Sequence, residues 1–368
     1  MNQLQSYGTN LCPASRKRTA IRIGALGVLW LLVAATGCTS GHRALELPDG
    51  SSPMAAVSYG PYRDGQSPDG ASPTRDELLE DLRILSRHWP AIRMYGSRGA
   101  TETVLELIDE YDIPMKVLVG AWIAPEWTRD SEGQKDEYMP EQAAENDAEV
   151  AAAVRLSRLY PQHVMGLSIG NETQVFWSWH RSFPETLLRH LRAARASSDA
   201  PITTADDFRF WTTEESDQFA EHVDFVVVHA YAMWNGQTLD NAIAWTRAQY
   251  RATVDRHPDK PVIIGELGWA TSKAEYGEQG ELIIGVPGEQ QQRRFVEELY
   301  RWSAQNDVSF FLFAAFDEKW KGGDDPVEVE KHWGVFRSDR TPKAAVDVLP
   351  RLQRTSRQGT QPTSKMFR

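Results

Sequence analysis

Cysteine is nearly missing from this chain, with Cys12 and Cys38 the two present among 368 residues. A disulfide framework and a thiolate metal cluster are therefore excluded. The nine histidines include His163, His180, His222 and His229, which do not form a metal spacing. No His-Glu-x-x-His occurs, so neither a catalytic metal nor a cofactor is expected. No glycine-rich turn follows the first strand-like segment, and no lysine ends an apolar strand. A doubly wound dinucleotide fold, an aldolase and a cofactor-dependent reductase are thus left without support. Positive charge is also short, at 40 Lys and Arg against 51 Asp and Glu, which disfavours nucleic acid and anionic membrane as direct ligands.

Long hydrophobic runs are scarce too. The longest, 23–35, follows Arg16, Lys17, Arg18 and Arg22, is short for a bilayer span, and has the layout of a secretory signal. It ends in Ala35-Thr36-Gly37-Cys38, which resembles a bacterial lipoprotein signal with lipid on Cys38, although alanine stands where leucine is usual. An ordinary export signal with Cys38 incidental is the alternative. Removal of 1–37 would leave 36 basic and 51 acidic residues, a formal charge of −15. The expected organisation is a signal over 1–37, a tether over 38–55, one domain over 56–350 and a disordered tail over 351–368. The protein is expected to be exported, lipid-anchored to the bacterial cell envelope and monomeric, touching membrane only through the lipid.

What is abundant is alternation. Strand-like runs at 57–59, 92–95, 116–119, 164–169, 201–204, 225–228, 262–264 and 310–315 alternate with amphipathic segments. Several runs are continuously apolar, as strands covered on both faces require. In "SPTRDELLEDLRIL", Ser72 and Pro73 open a helix whose Leu78, Leu82 and Leu85 form one stripe. The segment "SFPETLLRHL" and the stretches 141–160, 239–256 and 289–305 supply further crossovers. Eight rounds without a central linker predict a single (β/α)8 TIM barrel, an α/β fold whose site lies at the carboxyl ends of the strands.

Strand four ends in "GLSIGNETQVFW" and strand seven in "VIIGELGWAT", which puts Asn171, Glu172 and Glu266 at the mouth. These two strands face each other. A buried carboxylate at such a place needs a partner or a reaction. Two converging carboxylates can share acid and nucleophile roles at a glycosidic bond, because like charges about 5 Å apart split their pKa values.

The segments "VSYGPY", "IRMYGS", "SIGNET", "GELGWAT" and "FAAFDEKWK" with "HWGVF" resemble glycoside hydrolase family 17, the β-1,3-glucanase family, over 57–348. That family lies within the clan of retaining glycosidases built on (β/α)8 barrels. The resemblance implies Glu172 as acid/base, Glu266 as nucleophile and Asn171 as a hydrogen-bond partner of the sugar 2-hydroxyl. It also implies support from Glu318 and Lys321, with Tyr95 and Tyr231 near the centre. Two departures stand out: Leu267-Gly268-Trp269-Ala270-Thr271 replaces Thr-Gly-Trp-Pro-Ser, and His229-Ala230-Tyr231 replaces Tyr-Pro-Tyr.

The expected substrate is a neutral β-glucan, hydrolysed or transferred to an acceptor sugar by the same residues. A glycan-binding lipoprotein without chemistry is the competing class. Of 13 tryptophans, about half are expected to line the cleft, Trp269 and Trp333 foremost; the others would pack the core. Three readings stay open. His229 binds substrate or is a satisfied rim histidine, Glu318 and Lys321 support the site or form a solvated loop, and Asp206 and Asp207 bind hydroxyls or cap a helix.

Overall fold

The computed structural model describes residues 43–48 and 52–352. The signal segment 1–37, Cys38, part of the tether and most of the tail lie outside the described residues.

Among the described residues, eight parallel strands close into one barrel. They are β1 (Ala55–Ser58), β2 (Ala91–Arg93), β3 (Lys116–Ala121), β6 (Val164–Asn171), β7 (Ile202–Asp207), β8 (Val226–His229), β9 (Val262–Leu267) and β10 (Phe310–Leu312), with β1 pairing both β2 and β10. The crossovers are α1 (Arg75–Leu85), α2 (Ala100–Glu110), α3 (Pro140–Leu159), α4 (Pro184–Ser197), α7 (Leu239–Arg256) and α9 (Glu289–Asn306), while the short α5 (Phe208–Trp211) and α6 (Asp217–Ala220) bridge β7 to β8. A further short helix, α8 (Gly277–Leu282), lies between β9 and α9. The (β/α)8 fold is as the alternation predicts.

Side-chain alternation divides the core in two. Ile92, Val226, Val228 and Ile264 pack with helix residues such as Leu82, Leu105 and Leu299 in the outer shell. Their strand neighbours Ala91, Val227 and Ile263 join Leu118, Phe225 and Phe311 in a second cluster, the barrel interior, on which Leu45 and Leu47 pack. The helices start as their sequences dictate. Thr74, rather than Ser72, caps α1 in a reciprocal capping box with Glu77, and Pro184 opens α4.

Three expectations are corrected. Strand four runs beyond 169 to Asn171 and strand five beyond 204 to Asp207, so polar residues extend both strands. The loop after β3 holds an antiparallel hairpin, β4 (Trp127–Arg129) with β5 (Lys135–Tyr138). Asp130 Oδ1 makes its turn by accepting from the Glu132 and Gln134 amides at 2.9 and 2.8 Å, with Gly133 at φ 79°.

Candidate active site

Backbone irregularities aim the two glutamates. In β9 the register shifts between Ile264 and Glu266, and a side chain on the intervening Gly265 would put its Cβ 2.2 Å from Val227 Cγ1. Glycine permits that crowding, and the shift lets the residue after it face the mouth. In β6 the register shifts between Ser168 and Asn171 around Gly170, at φ 81°. Glu172 follows at φ 50°, a left-handed conformation that costs a non-glycine residue about 1 kcal/mol or more. Its amide bonds Ala205 O on the next strand at 2.8 Å, which holds it there.

One oxygen from each of Glu172 and Glu266 and one nitrogen of His229 lie within 4.8 Å of one another. Glu266 is almost wholly buried and accepts from Arg93 Nη1 at 2.6 Å, Tyr95 Oη at 2.9 Å and Tyr231 Oη at 2.5 Å. Burial alone would raise its pKa, but the charges of His229 and Arg93 and the hydrogen bonds from Tyr231 and Arg93 outweigh burial and hold it at about 2. Burial pushes His229 itself down to about 4. At neutral pH the guanidinium of Arg93 is therefore the fixed positive charge on Glu266.

Glu172 has the opposite surroundings. Burial, then the charges of Glu266 and Asp207, push its carboxyl well above the usual range. Its Oε1 lies 2.8 Å from His229 Nδ1, while His229 Nε2 lies 3.5 Å from Glu266 Oε1. A neutral imidazole can accept the Glu172 proton at Nδ1 and turn Nε2–H towards Glu266. The site thus holds a protonated acid beside an ionised carboxylate. These three residues also have the spacing of a cation-binding set. Arg93 and the two phenols already occupy the Glu266 oxygens, which makes that set a poor match for a cation.

Arg93, in strand two, is one residue that sequence reading missed. Its Nη2 donates to Asn171 Oδ1 at 2.6 Å while Nη1 holds Glu266, so one guanidinium fixes both sides of the mouth. The signal was present as an arginine within the apolar "AIRMYG". A charge facing a barrel interior needs a carboxylate there.

Lys321 Nζ pairs with Glu318 Oε2 at 2.7 Å and lies 4.7 Å from the centre of the Phe313 ring. Burial would lower its pKa, but Glu318, Glu330 and Glu266 together raise it. The pair therefore belongs to the mouth and not to a solvated loop. Glu330, also missed, accepts from Trp234 Nε1 at 3.0 Å.

His229 is fully buried between the two glutamates. Asp206 accepts from the amides of Gln174, Val175 and Asp207 at 2.8, 3.2 and 2.8 Å and so pins the chain just beyond Glu172. Burial raises its pKa to about 7. Asp207 caps α5 through the Arg209 amide at 2.8 Å, which settles its open reading in favour of capping.

The tryptophan expectations are corrected in part. Trp269 is 1% exposed, donates Nε1 to Val286 O at 3.0 Å and packs on Phe295, so it is a packing residue and not a sugar platform. Trp333 is equally buried and packs edge-on against Tyr231, ring centres 5.1 Å apart. Trp211 is buried with Nε1 on Val227 O. Trp177, Trp179 and Trp320 are exposed.

Residues 56–334 match the model of the BtgE/BtgC glycoside hydrolase domain. Among curated relatives, the glucan 1,3-beta-glucosidase of Schizosaccharomyces pombe is 24% identical over 291 residues, 75% of this chain and 82% of that protein. The putative glucan endo-1,3-beta-glucosidase btgC of Aspergillus niger is 26% identical over 298 residues, which span 75% of this chain and 40% of the relative. Among solved structures, an endo-laminarinase from Formosa Hel1_33_131 superposes with a TM-score of 0.68 at 27% identity, covering 80% of this chain and 85% of that one. The glycoside hydrolase family 17 beta-1,3-glucanosyltransferase of Rhizomucor miehei shares the fold, with a TM-score of 0.61 at 22% identity, covering 79% of this chain and 95% of that one.

Proposed function

Because the chain belongs to the BtgE/BtgC glycoside hydrolase family, we propose that it is a retaining glycosidase that cleaves β-1,3-glucan through a glycosyl-enzyme on Glu266. The observation that carries this reading is the close approach of two carboxylates held in opposite protonation states, with oxygens within 4.8 Å. Inverting enzymes separate the pair by roughly 6.5–9.5 Å to admit a water, whereas retaining ones bring it to about 5–5.5 Å.

The steps follow from the contacts. Glu172 gives its proton to the glycosidic oxygen as the C1–O bond breaks, and Glu266 forms an ester to C1. Water then attacks C1 and returns a proton to Glu172, which releases Glu266. Asn171, oriented by Arg93, would bond the 2-hydroxyl. An acceptor hydroxyl in place of that water would give transglycosylation by the same residues.

The substrate class is supported by the names of the relatives and of the endo-laminarinase. We further propose export and lipid anchoring through Cys38, with the barrel over 56–350 acting as a monomer in the cell envelope. The test is to incubate labelled laminari-oligosaccharides with wild type and Glu266→Gln and resolve the products by mass. Shorter or rearranged β-1,3 products from wild type alone support the reading, and an untouched oligosaccharide refutes the substrate.

A further inference from the structure

We propose that Asp206 is a positioning residue for the acid/base: its carboxylate clamps the turn after Glu172 and so keeps that side chain aimed at the glycosidic oxygen. The proposal rests on the glycosidase reading and adds what holds the proton donor in place.

Asp206 is fully buried near the end of β7 and takes no part in the chemistry assigned to Glu172 and Glu266. A buried carboxylate is costly, and this one has backbone amides rather than a cation for hydrogen-bond partners. Its Oδ2 accepts from Gln174 N at 2.8 Å, and its Oδ1 accepts from Val175 N at 3.2 Å and Asp207 N at 2.8 Å. Donors thus converge on both oxygens. A carboxylate satisfies that arrangement and an amide side chain does not, because its NH2 would face a donor. Burial is the main cause that lifts the Asp206 pKa to about 7; the charge of Glu172 adds to it, while the Gln174 and Asp207 amides and His229 oppose it.

The turn held in this way is strained. Gly170 and Glu172 both have left-handed backbones, φ 81° and 50°, within three residues. For a non-glycine residue such a conformation persists only where its surroundings fix it. Strand β7 supplies the fixing from two adjacent residues: Ala205 O takes the Glu172 amide at 2.8 Å, and Asp206 takes those of Gln174 and Val175. Ser182 N on Thr173 O, at 2.9 Å, closes the turn from its far side. Thr173, Gln174 and Val175 are themselves buried, which leaves bulk water little access to replace Asp206 as acceptor.

A general acid works only within hydrogen-bond reach of the oxygen it protonates. A loosened turn would therefore cost proton transfer. Glu266 would still be able to attack, because Arg93, Tyr95 and Tyr231 hold it from other parts of the mouth.

That separation sets the experiment. Full-length wild type, Asp206→Asn and Asp206→Ser are assayed on two substrates: a laminari-oligosaccharide, whose leaving sugar needs a proton, and dinitrophenyl β-laminaribioside, whose phenolate leaves without one. In each variant kcat/KM, which reports formation of the glycosyl-enzyme, should fall about 100-fold on the oligosaccharide and less than about 3-fold on the aryl glycoside. Azide should then raise kcat on the aryl glycoside in the variants but not in wild type. It attacks C1, breaks the ester bond to Glu266 and yields the β-glycosyl azide, with no proton to transfer. Equal losses on both substrates would overturn the proposal, since a general distortion harms both, and so would variants as active as wild type on the oligosaccharide. Serine is smaller than aspartate and keeps one acceptor oxygen, so it serves if the asparagine variant does not fold. If wild type cleaves neither substrate, the glycosidase reading falls and hydrogen exchange decides the clamp instead. Faster exchange confined to 172–182 in the variants supports it, and exchange as in wild type refutes it.

Discussion

Glu172 and Glu266 are the same side chain with opposite surroundings. Arg93, Tyr95 and Tyr231 surround Glu266 with donors, whereas Glu172 meets an imidazole and two further carboxylates. The pH profile should follow. kcat/KM falls on the alkaline side as Glu172 loses its proton, while Glu266 stays ionised down to about pH 2. The two groups also act oppositely on stability. The raised pKa of Glu172 favours the fold at low pH, a contribution lost as pH rises through its folded value, whereas the depressed pKa of Glu266 favours the fold above its ordinary value and is lost towards pH 2. Glu172→Gln, neutral at every pH, should therefore melt higher than wild type at pH 8 while losing activity, read by calorimetry alongside a glucan assay. Arg93→Met should move the acidic limb of the profile to higher pH and lower kcat at least 100-fold, since Glu266 loses its fixed cation; an unmoved acidic limb would refute that role. The glutamate pair was legible because strand-end position restricts what a carboxylate can do. Arg93 was not singled out, because its meaning depends on two strands distant in sequence. Trp269 misled because a motif position says nothing about which way the ring turns.

At the scale of elements, the barrel closes where β1 meets β10, and a buried ion pair fastens that seam. Arg340 holds Asp81 of α1 through Nε and Nη2 at 2.7 and 2.6 Å, and Tyr59 donates to the same carboxylate at 2.9 Å. Arg63 adds a third cationic contact at 3.0 Å. Breaking one partner of such a pair leaves the other charged and buried, at a cost of about 3–5 kcal/mol. Asp81→Asn should lower the urea midpoint correspondingly while leaving the distribution of glucan products as in wild type. Equal midpoints would show that the cluster contributes little. Legibility differed between elements for a physical reason. Long periodic helices such as α4 and apolar strands such as β9 announce themselves through burial, which dominates their energetics. The hairpin β4–β5 is half-exposed and polar, held by one aspartate turn and a glycine, and carries no comparable periodicity.

For the molecule as a whole, the proposal of export and lipid anchoring rests on the basic and apolar segment over 16–35 and on Cys38. If Cys38 carries lipid, Cys38→Ser should move the protein from the detergent phase to the aqueous phase on detergent partitioning of cells that express it. Equal partitioning would refute the anchor. The central claim is that Glu266 attacks the sugar directly, and the stereochemistry of the first product tests it most directly. Proton NMR of laminari-oligosaccharide cleavage, recorded before mutarotation, should show the β-anomer forming first, and the α-anomer forming first would contradict a covalent glycosyl-enzyme at this site.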